Sequence, residues 1–344
     1  MFKDLVSSVN SILVVGHLTP DFDAYSSVLF LGNLLKENYT EKSVYLVIDS
    51  KEKYTNLSYM KGFEDIIYGD IVENIQEYNP DLVVFVDGNN LGSFAKDIDK
   101  ISSVLKGRKT AMFDHHKEKE KDFDFYIREE RYSCVDVIYT QLIDREGWEI
   151  FEGYEEVYLT GLIGDSYRFY HNAKGYRETF NVVSEILDRG YTIRGISDRI
   201  FGFRKEDIEL INILSSNMKY DEEKKYSYSC ISFDEYSKNI KGKMSINEYK
   251  TTKRYFVDQI MVNIYDYDFC FTLAPDETKK DGVTYTCSIR SKLNTVDCTV
   301  FAKYLNGGGH ITGAGCVVIA NNIDEAIEIV RGVIDKYYEE ARIK

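Results

Sequence analysis

Four short, almost wholly apolar runs punctuate the first third of the chain: Ile12 to Val15, Val44 to Ile48, Leu82 to Val86 and Lys109 to Phe113. Each is short for a helix and too uniformly apolar to keep a solvent-facing side. Each therefore reads as a strand covered on both faces, although a buried helical turn would carry the same signature. Stretches with helical spacing fall between and after them, at Tyr25 to Asn38, Asp97 to Leu105, Ser133 to Glu146, Tyr154 to Gly164 and Thr179 to Arg189. Strands alternating with helices predict an α/β fold built on an open parallel sheet.

Residues 191–221 are polar and helical in pattern, without a strand signal. They are expected to connect a first domain, 1–190, to a smaller second one, 222–344. There Tyr226 to Phe233, Asp268 to Leu273, Thr284 to Ser291 and Gly315 to Ala320 read as strands. Ser245 to Met261, Cys298 to Tyr304 and Ile323 to Arg342 read as helices. The mixture predicts a smaller α/β unit with a mixed sheet.

Composition narrows the function. The chain has 344 residues, 44% hydrophobic, with 43 basic against 57 acidic side chains and a net charge of −14. That balance argues against a protein that grips long nucleic acid through many phosphates, whereas a small anion held by metals fits it. No apolar stretch approaches the ~20 residues of a membrane helix, and Met1 to Leu5 lacks the features of a leader. A cytoplasmic protein without membrane attachment is expected, and a homodimer is compatible. The six cysteines form no C-x-x-C pair and read as reduced thiols. The 28 tyrosines read as compositional bias and core packing, as does Trp148.

The five histidines are the most informative residues for chemistry. His17 opens the loop Gly16-His17-Leu18-Thr19-Pro20-Asp21-Phe22-Asp23 after the first strand, which gathers one imidazole and two carboxylates within seven residues. Such a loop can turn several donors toward one point, while either aspartate alone reads equally well as a helix N-cap. Asp87 ends the Leu82 to Val86 strand, where open α/β sheets place functional side chains; followed by Gly88 and Asn89, it also suits a plain turn. Asp114-His115-His116 ends the next strand, and Asp165 closes an apolar helix. Together His17, Asp21, Asp23, Asp87, His115 and Asp165 would overfill one divalent ion. They would satisfy two ions that share a carboxylate, and mixed nitrogen and oxygen donors favour Mn²⁺ or a similar first-row ion.

These segments resemble a known family. HLTPDFD, the lone Asp after LVVFV, DHH and GLIGDSYRF are similar to the four motifs of the DHH phosphoesterases, in the family's order. RSKLN and GGGHITGAG are similar to the signature of the DHH-associated second domain. The GDSxRF and GGGH forms most resemble NrnA-type nanoRNases, which also act on 3′-phosphoadenosine 5′-phosphate. Family II inorganic pyrophosphatases share the first domain but not GGGH. Cyclic-di-AMP phosphodiesterases share both domains and usually add N-terminal ones. Phe22 stands where a Gly is common, Tyr167 replaces a frequent Gly, and Lys117 to Lys121 is a charged run after DHH. Phe22 and Tyr167 adjoin ligand positions, so they are expected to reshape the pocket.

The resemblance implies hydrolysis of short oligoribonucleotides or small nucleotide phosphates by two divalent ions, with the active site in the cleft between the domains. Two cations about 3.5 to 4 Å apart activate a bridging water and brace an in-line attack at phosphorus. His116 is then free to contact phosphate or protonate the leaving group, and Asp114 to orient a histidine. On the second domain Arg290, Ser291, Gly307, Gly308, Gly309 and His310 are expected to form a phosphate pocket; a flexible turn is the plain alternative for the glycines. His171 reads as an exposed or core histidine. Cyclic-dinucleotide phosphodiesterase, inorganic pyrophosphatase and a nucleotide-sensing binding protein are the alternatives.

Overall fold

A computed structural model describes residues 1–50, 53–116, 123–170, 176–276, 279 and 283–343. The Lys117 to Lys121 run and His171 lie outside them. The chain divides into two compact units, Met1–Gly202 and Phe203–Lys344.

In the first unit, β1 (Ser11–Val15), β2 (Ser43–Ile48), β3 (Ile66–Tyr68), β4 (Leu82–Val86), β5 (Lys109–Asp114) and β6 (Phe125–Arg128) form one parallel sheet. Its spatial order is β3-β2-β1-β4-β5-β6. The helices are α1 (Phe2–Ser7), α2 (Phe22–Asn38), α3 (Ile71–Tyr78), α4 (Ile98–Leu105), α5 (Cys134–Tyr139), α6 (Tyr154–Ser166), α7 (Arg177–Asp188) and α8 (Ile193–Ile200).

The apolar runs are explained by burial on both sides. Ile12, Val14, Val84, Val86 and Phe113 face a core shared with α2, α5 and α6. Their alternating neighbours Leu13, Val15, Val83, Phe85 and Met112 face a second core with α3 and α4. β3 and β6 extend the sheet at its edges, beyond the four strands expected. With three and four residues and partly exposed side chains, they make no continuous apolar run to read. Trp148 is core, stacked on Phe2 at 5.9 Å.

The second unit contains α9 (Lys205–Ser216), β7 (Lys219–Asp221), β8 (Tyr226–Cys230), α10 (Phe233–Asn239), α11 (Ile246–Tyr255), β9 (Phe269–Pro275), β10 (Thr284–Ser291), α12 (Cys298–Tyr304), β11 (Gly308–His310), β12 (Gly313–Ile319) and α13 (Ile323–Ile343). Its sheet runs β11-β12-β10-β9-β8-β7, antiparallel except for the parallel β8–β9 pair. The strand expected to reach Phe233 stops at Cys230, because the Ser232 hydroxyl accepts the Glu235 N–H and starts α10. The stretch 191–221 holds α8 in the first unit and α9 and β7 in the second. β7 is an exposed Lys-Tyr-Asp edge, so it carries no apolar signal.

All six cysteines are buried free thiols. No helix among the described residues is long and apolar enough to cross a membrane.

Candidate metal centre

The chain leaves β1 toward β2 and β3, then returns to β4 and proceeds outward to β5 and β6. Strand order therefore reverses between β1 and β4, where the diverging loops leave a crevice at the carboxyl ends of the strands. His17 follows β1, Asp87 follows β4, and Asp114 ends β5 ahead of His115 and His116. The first turn of α2 adds Asp21 and Asp23, and the last turn of α6 adds Asp165. Gly161 and Gly164 bring those two helices together. A Cβ at Gly161 would lie 2.9 Å from Asp23 Oδ1, and one at Gly164 would lie 2.6 Å from Phe22 Cβ.

Asp87 is the hinge of the arrangement. Its Oδ2 lies 3.4 Å from His17 Nε2 and its Oδ1 lies 3.3 Å from His115 Nε2. On one side His17 Nε2 is 3.8 Å from Asp21 Oδ1. On the other, His115 Nε2 is 3.9 Å from Asp23 Oδ2 and 3.6 Å from Asp165 Oδ2. His17, Asp21 and Asp87 thus make one potential ligand group, and Asp23, His115 and Asp165 a second. Asp87, His115 and His116 overlap both.

The surrounding bonds set each donor. His115 Nδ1 lies 3.2 Å from the Arg131 carbonyl; a carbonyl only accepts, so Nδ1 carries the proton and Nε2 faces the carboxylates. Asp23 accepts the Cys134 and Val135 N–H groups at the start of α5, at 2.5 and 3.2 Å. Asp21 Oδ1 caps α2 by accepting the Asp23 and Ala24 N–H groups at 3.1 Å each, so the N-cap reading and the ligand reading fall on one residue. Asp114, fully buried, accepts from His116 Nδ1 at 2.8 Å and from the His116 N–H at 3.1 Å. The His116 side chain is 40% exposed, and its carbonyl accepts from Arg128 Nε.

Four carboxylates this close cannot all stay ionised without positive charge among them. Against the cost of burial, the neighbouring His115 and His17 imidazoles hold the Asp87 carboxyl well below the usual range. Burial likewise opposes charge on His17, but Asp21 and Asp87 raise its pKa to about 10. Asp165 is pushed up to about 6 by desolvation and by the Asp21 and Asp87 charges, against the pull of His115. Burial and the neighbouring Asp87 also raise Asp23. Asp87 Oδ1 and Asp114 Oδ2 are buried with no hydrogen-bond partner. An orphaned carboxylate oxygen facing imidazole nitrogen is what a cation would satisfy, so the donor set fits divalent metal.

The remaining expected residues lie on the second unit. His310 pairs with Gly313 on β12, and Gly313 pairs with Arg290 on β10; residues in register share a face, so His310 and Arg290 flank a glycine. Arg290 Nε donates to Asp258 at 2.5 Å. Ser291 is buried, its hydroxyl donating to the Val296 carbonyl at 2.7 Å, and so fastens a loop. The glycines belong to a packed edge: a Cβ at Gly307 would lie 2.2 Å from the Gly315 carbonyl oxygen, and Gly308 to His310 pair with β12. The orienting groups Arg131, Cys134 and Val135 escaped the sequence reading because they act through backbone atoms, which leave no residue signature.

Residues 11–162 match the family model described as the DHH family, N-terminal domain. A cyclic-di-AMP phosphodiesterase, GdpP, of Bacillus subtilis is 21% identical across 98% of this chain and 49% of its own length. A bifunctional oligoribonuclease and PAP phosphatase, NrnA, of the same organism is 23% identical across 63% of this chain and 65% of its own. The chain thus spans about half and about two thirds of the lengths of these two relatives. A probable NrnA of Streptococcus mutans is 23% identical across 94% of this chain and 96% of its own. In structure, an exopolyphosphatase-related protein from Bacteroides fragilis superposes with a TM-score of 0.80 at 24% identity, covering 98% of this chain and 95% of that one. The likeness to the DHH family, N-terminal domain, is thus carried by residues 11–162.

Proposed function

We propose that the protein is a metal-dependent phosphoesterase that hydrolyses short oligoribonucleotides such as pApA to mononucleotides and also takes 3′-phosphoadenosine 5′-phosphate. The observation that carries the reading is Asp87, whose two oxygens face two different histidines, each with its own carboxylates. His17, Asp21 and Asp87 would hold one cation, and Asp23, Asp87, His115 and Asp165 the other. Two such ions, Mn²⁺ by the donor set, would activate water at neutral pH and balance charge on the phosphoryl oxygens. His116 stands beside them with Nδ1 fixed on Asp114. Protonated on both nitrogens, a state that burial opposes and Asp114 favours, its half-open ring delivers the Nε2 proton to a leaving oxygen while Asp114 orients it. Arg290 and His310, in register on one face of their sheet, bind a substrate phosphate.

A manganese-supplemented assay across pApA, longer oligoribonucleotides, 3′-phosphoadenosine 5′-phosphate, cyclic-di-AMP and pyrophosphate tests the reading. Fastest turnover of pApA with chelator-sensitive activity is expected. Preference for cyclic-di-AMP, which the match to GdpP across 98% of this chain supports as the second reading, or for pyrophosphate would replace it. Binding without turnover of any of them would make the protein a sensor.

A further inference from the structure

Asp165 leads into a turn held in a costly conformation. Tyr167, Arg168 and Phe169 have φ values of 48°, 59° and 67°, three successive side-chain-bearing residues in the left-handed region, each costing on the order of 1 kcal/mol. Hydrogen bonds clamp the turn. The buried Ser166 hydroxyl donates to the Leu162 carbonyl at 2.5 Å and accepts the Phe169 N–H at 2.9 Å. The Arg168 N–H returns to the Ile163 carbonyl at 3.1 Å. Rings hold it from both sides. Phe169 meets Tyr132 edge-on at 5.6 Å and Phe180 at 5.2 Å. Tyr167 rests on Phe201 at 5.4 Å, and Phe201 meets Phe22, the residue between Asp21 and Asp23, at 5.9 Å.

The twist decides where Arg168 goes. Its side chain is exposed, with the guanidinium carbon 4.2 Å above the Phe201 ring. Among the described residues it makes no ion pair and no side-chain hydrogen bond. Stacking fixes one face of the guanidinium and leaves its edge of N–H donors for something else. Among the described residues, neither relief of strain nor a structural salt bridge accounts for the placement.

We propose that Arg168 receives a phosphate of the substrate other than the one cleaved. The inference rests on the phosphoesterase reading above. The reacting phosphoryl group belongs at Asp87 and Asp165; three residues on from Asp165, a planar fork already ordered on an aromatic ring matches a second phosphate bidentately. Little further rotamer freedom is lost when that phosphate binds. The substrates favoured are those with two phosphates, such as pApA and 3′-phosphoadenosine 5′-phosphate, over ApA and 3′-AMP.

The test is the ratio of kcat/KM for pApA over ApA, measured on the full chain with manganese. The wild type should favour pApA about ten- to hundredfold, the range for hydrogen bonds to a charged group. Arg168→Ala should bring the ratio to about one, chiefly through KM, and Arg168→Lys should keep part of it. A wild-type ratio surviving in Arg168→Ala overturns the proposal. Calorimetric binding of 3′-phosphoadenosine 5′-phosphate separates the two readings. Wild-type protein that cleaves neither dinucleotide ends the oligonucleotide reading. Affinity at least tenfold weaker in Arg168→Ala would still assign the arginine, and equal affinity would remove it.

Discussion

Asp87 takes a φ of 61°, a region that aspartate and asparagine tolerate better than most side chains. Asp87→Asn therefore keeps the backbone twist while removing the charge that both histidines face. The variant should fold with a thermal midpoint close to wild type, lose bound cation by elemental analysis, and fall on the order of a thousandfold in kcat, the rate equivalent of about 4 kcal/mol. Full metal content and full rate would exclude the shared-carboxylate arrangement. Protonation gives a second residue-level test. Without cation His17 has its pKa raised to about 10, and His115 is also raised, burial opposing and Asp87 and Asp165 favouring its charge. The charged form is thus favoured on both, yet a cation needs neutral imidazole. Loading should release protons, read by calorimetry in buffers of different ionisation enthalpy, and affinity should climb with pH. By the same shift, the stability His17 lends the cation-free fold is complete below about 6.5 and lost as pH rises through about 10. Imidazole and carboxylate at strand ends were legible in the sequence because histidine is rare here. The Arg131 carbonyl that orients His115 was not, since any residue supplies a carbonyl.

Among elements, the contact between α2 and α6 is the one on which the centre most depends. Gly161→Ala would gain about 1 kcal/mol of helix propensity. Its Cβ, however, would fall 2.8 Å from Ser26 Cβ and 2.9 Å from both Asp23 Oδ1 and Val135 Cγ1. Overpacking of that kind costs about 1–3 kcal/mol, so the clash outweighs the propensity. The variant should lose up to about 2 kcal/mol in urea denaturation and also bind cation more weakly, because Asp23 must move. Wild-type affinity would show that α6 shifts without disturbing Asp23. The same scale explains what the sequence revealed of the fold. β1, β2, β4 and β5 stood out because helices cover both faces. β3, β6, β7 and β11 are edges of three or four residues, too short for period-two alternation to register, and β11 is glycine where a strand signal needs side chains.

For the whole molecule, the net charge of −14 limits what can stay bound. On the proposed function, affinity would come from the cations, Arg168, Arg290 and His310, and each added nucleotide would bring charge that an acidic surface does not match. With 5′-phosphorylated oligoribonucleotides of about two to twenty residues at fixed salt, kcat/KM should peak at two to four and then decline. A flat or rising profile would point to a long-strand nuclease.

Each of the three ligand groups draws on at least two separate stretches of chain, from the loop at His17 to the end of α6. A cation therefore has nothing to grasp until at least the central strands have docked; the first ligand group also waits for α2, and the second for α2 and α6. A bound metal would then act in time as a late clasp: it should slow unfolding in denaturant-jump measurements and leave the refolding rate unchanged.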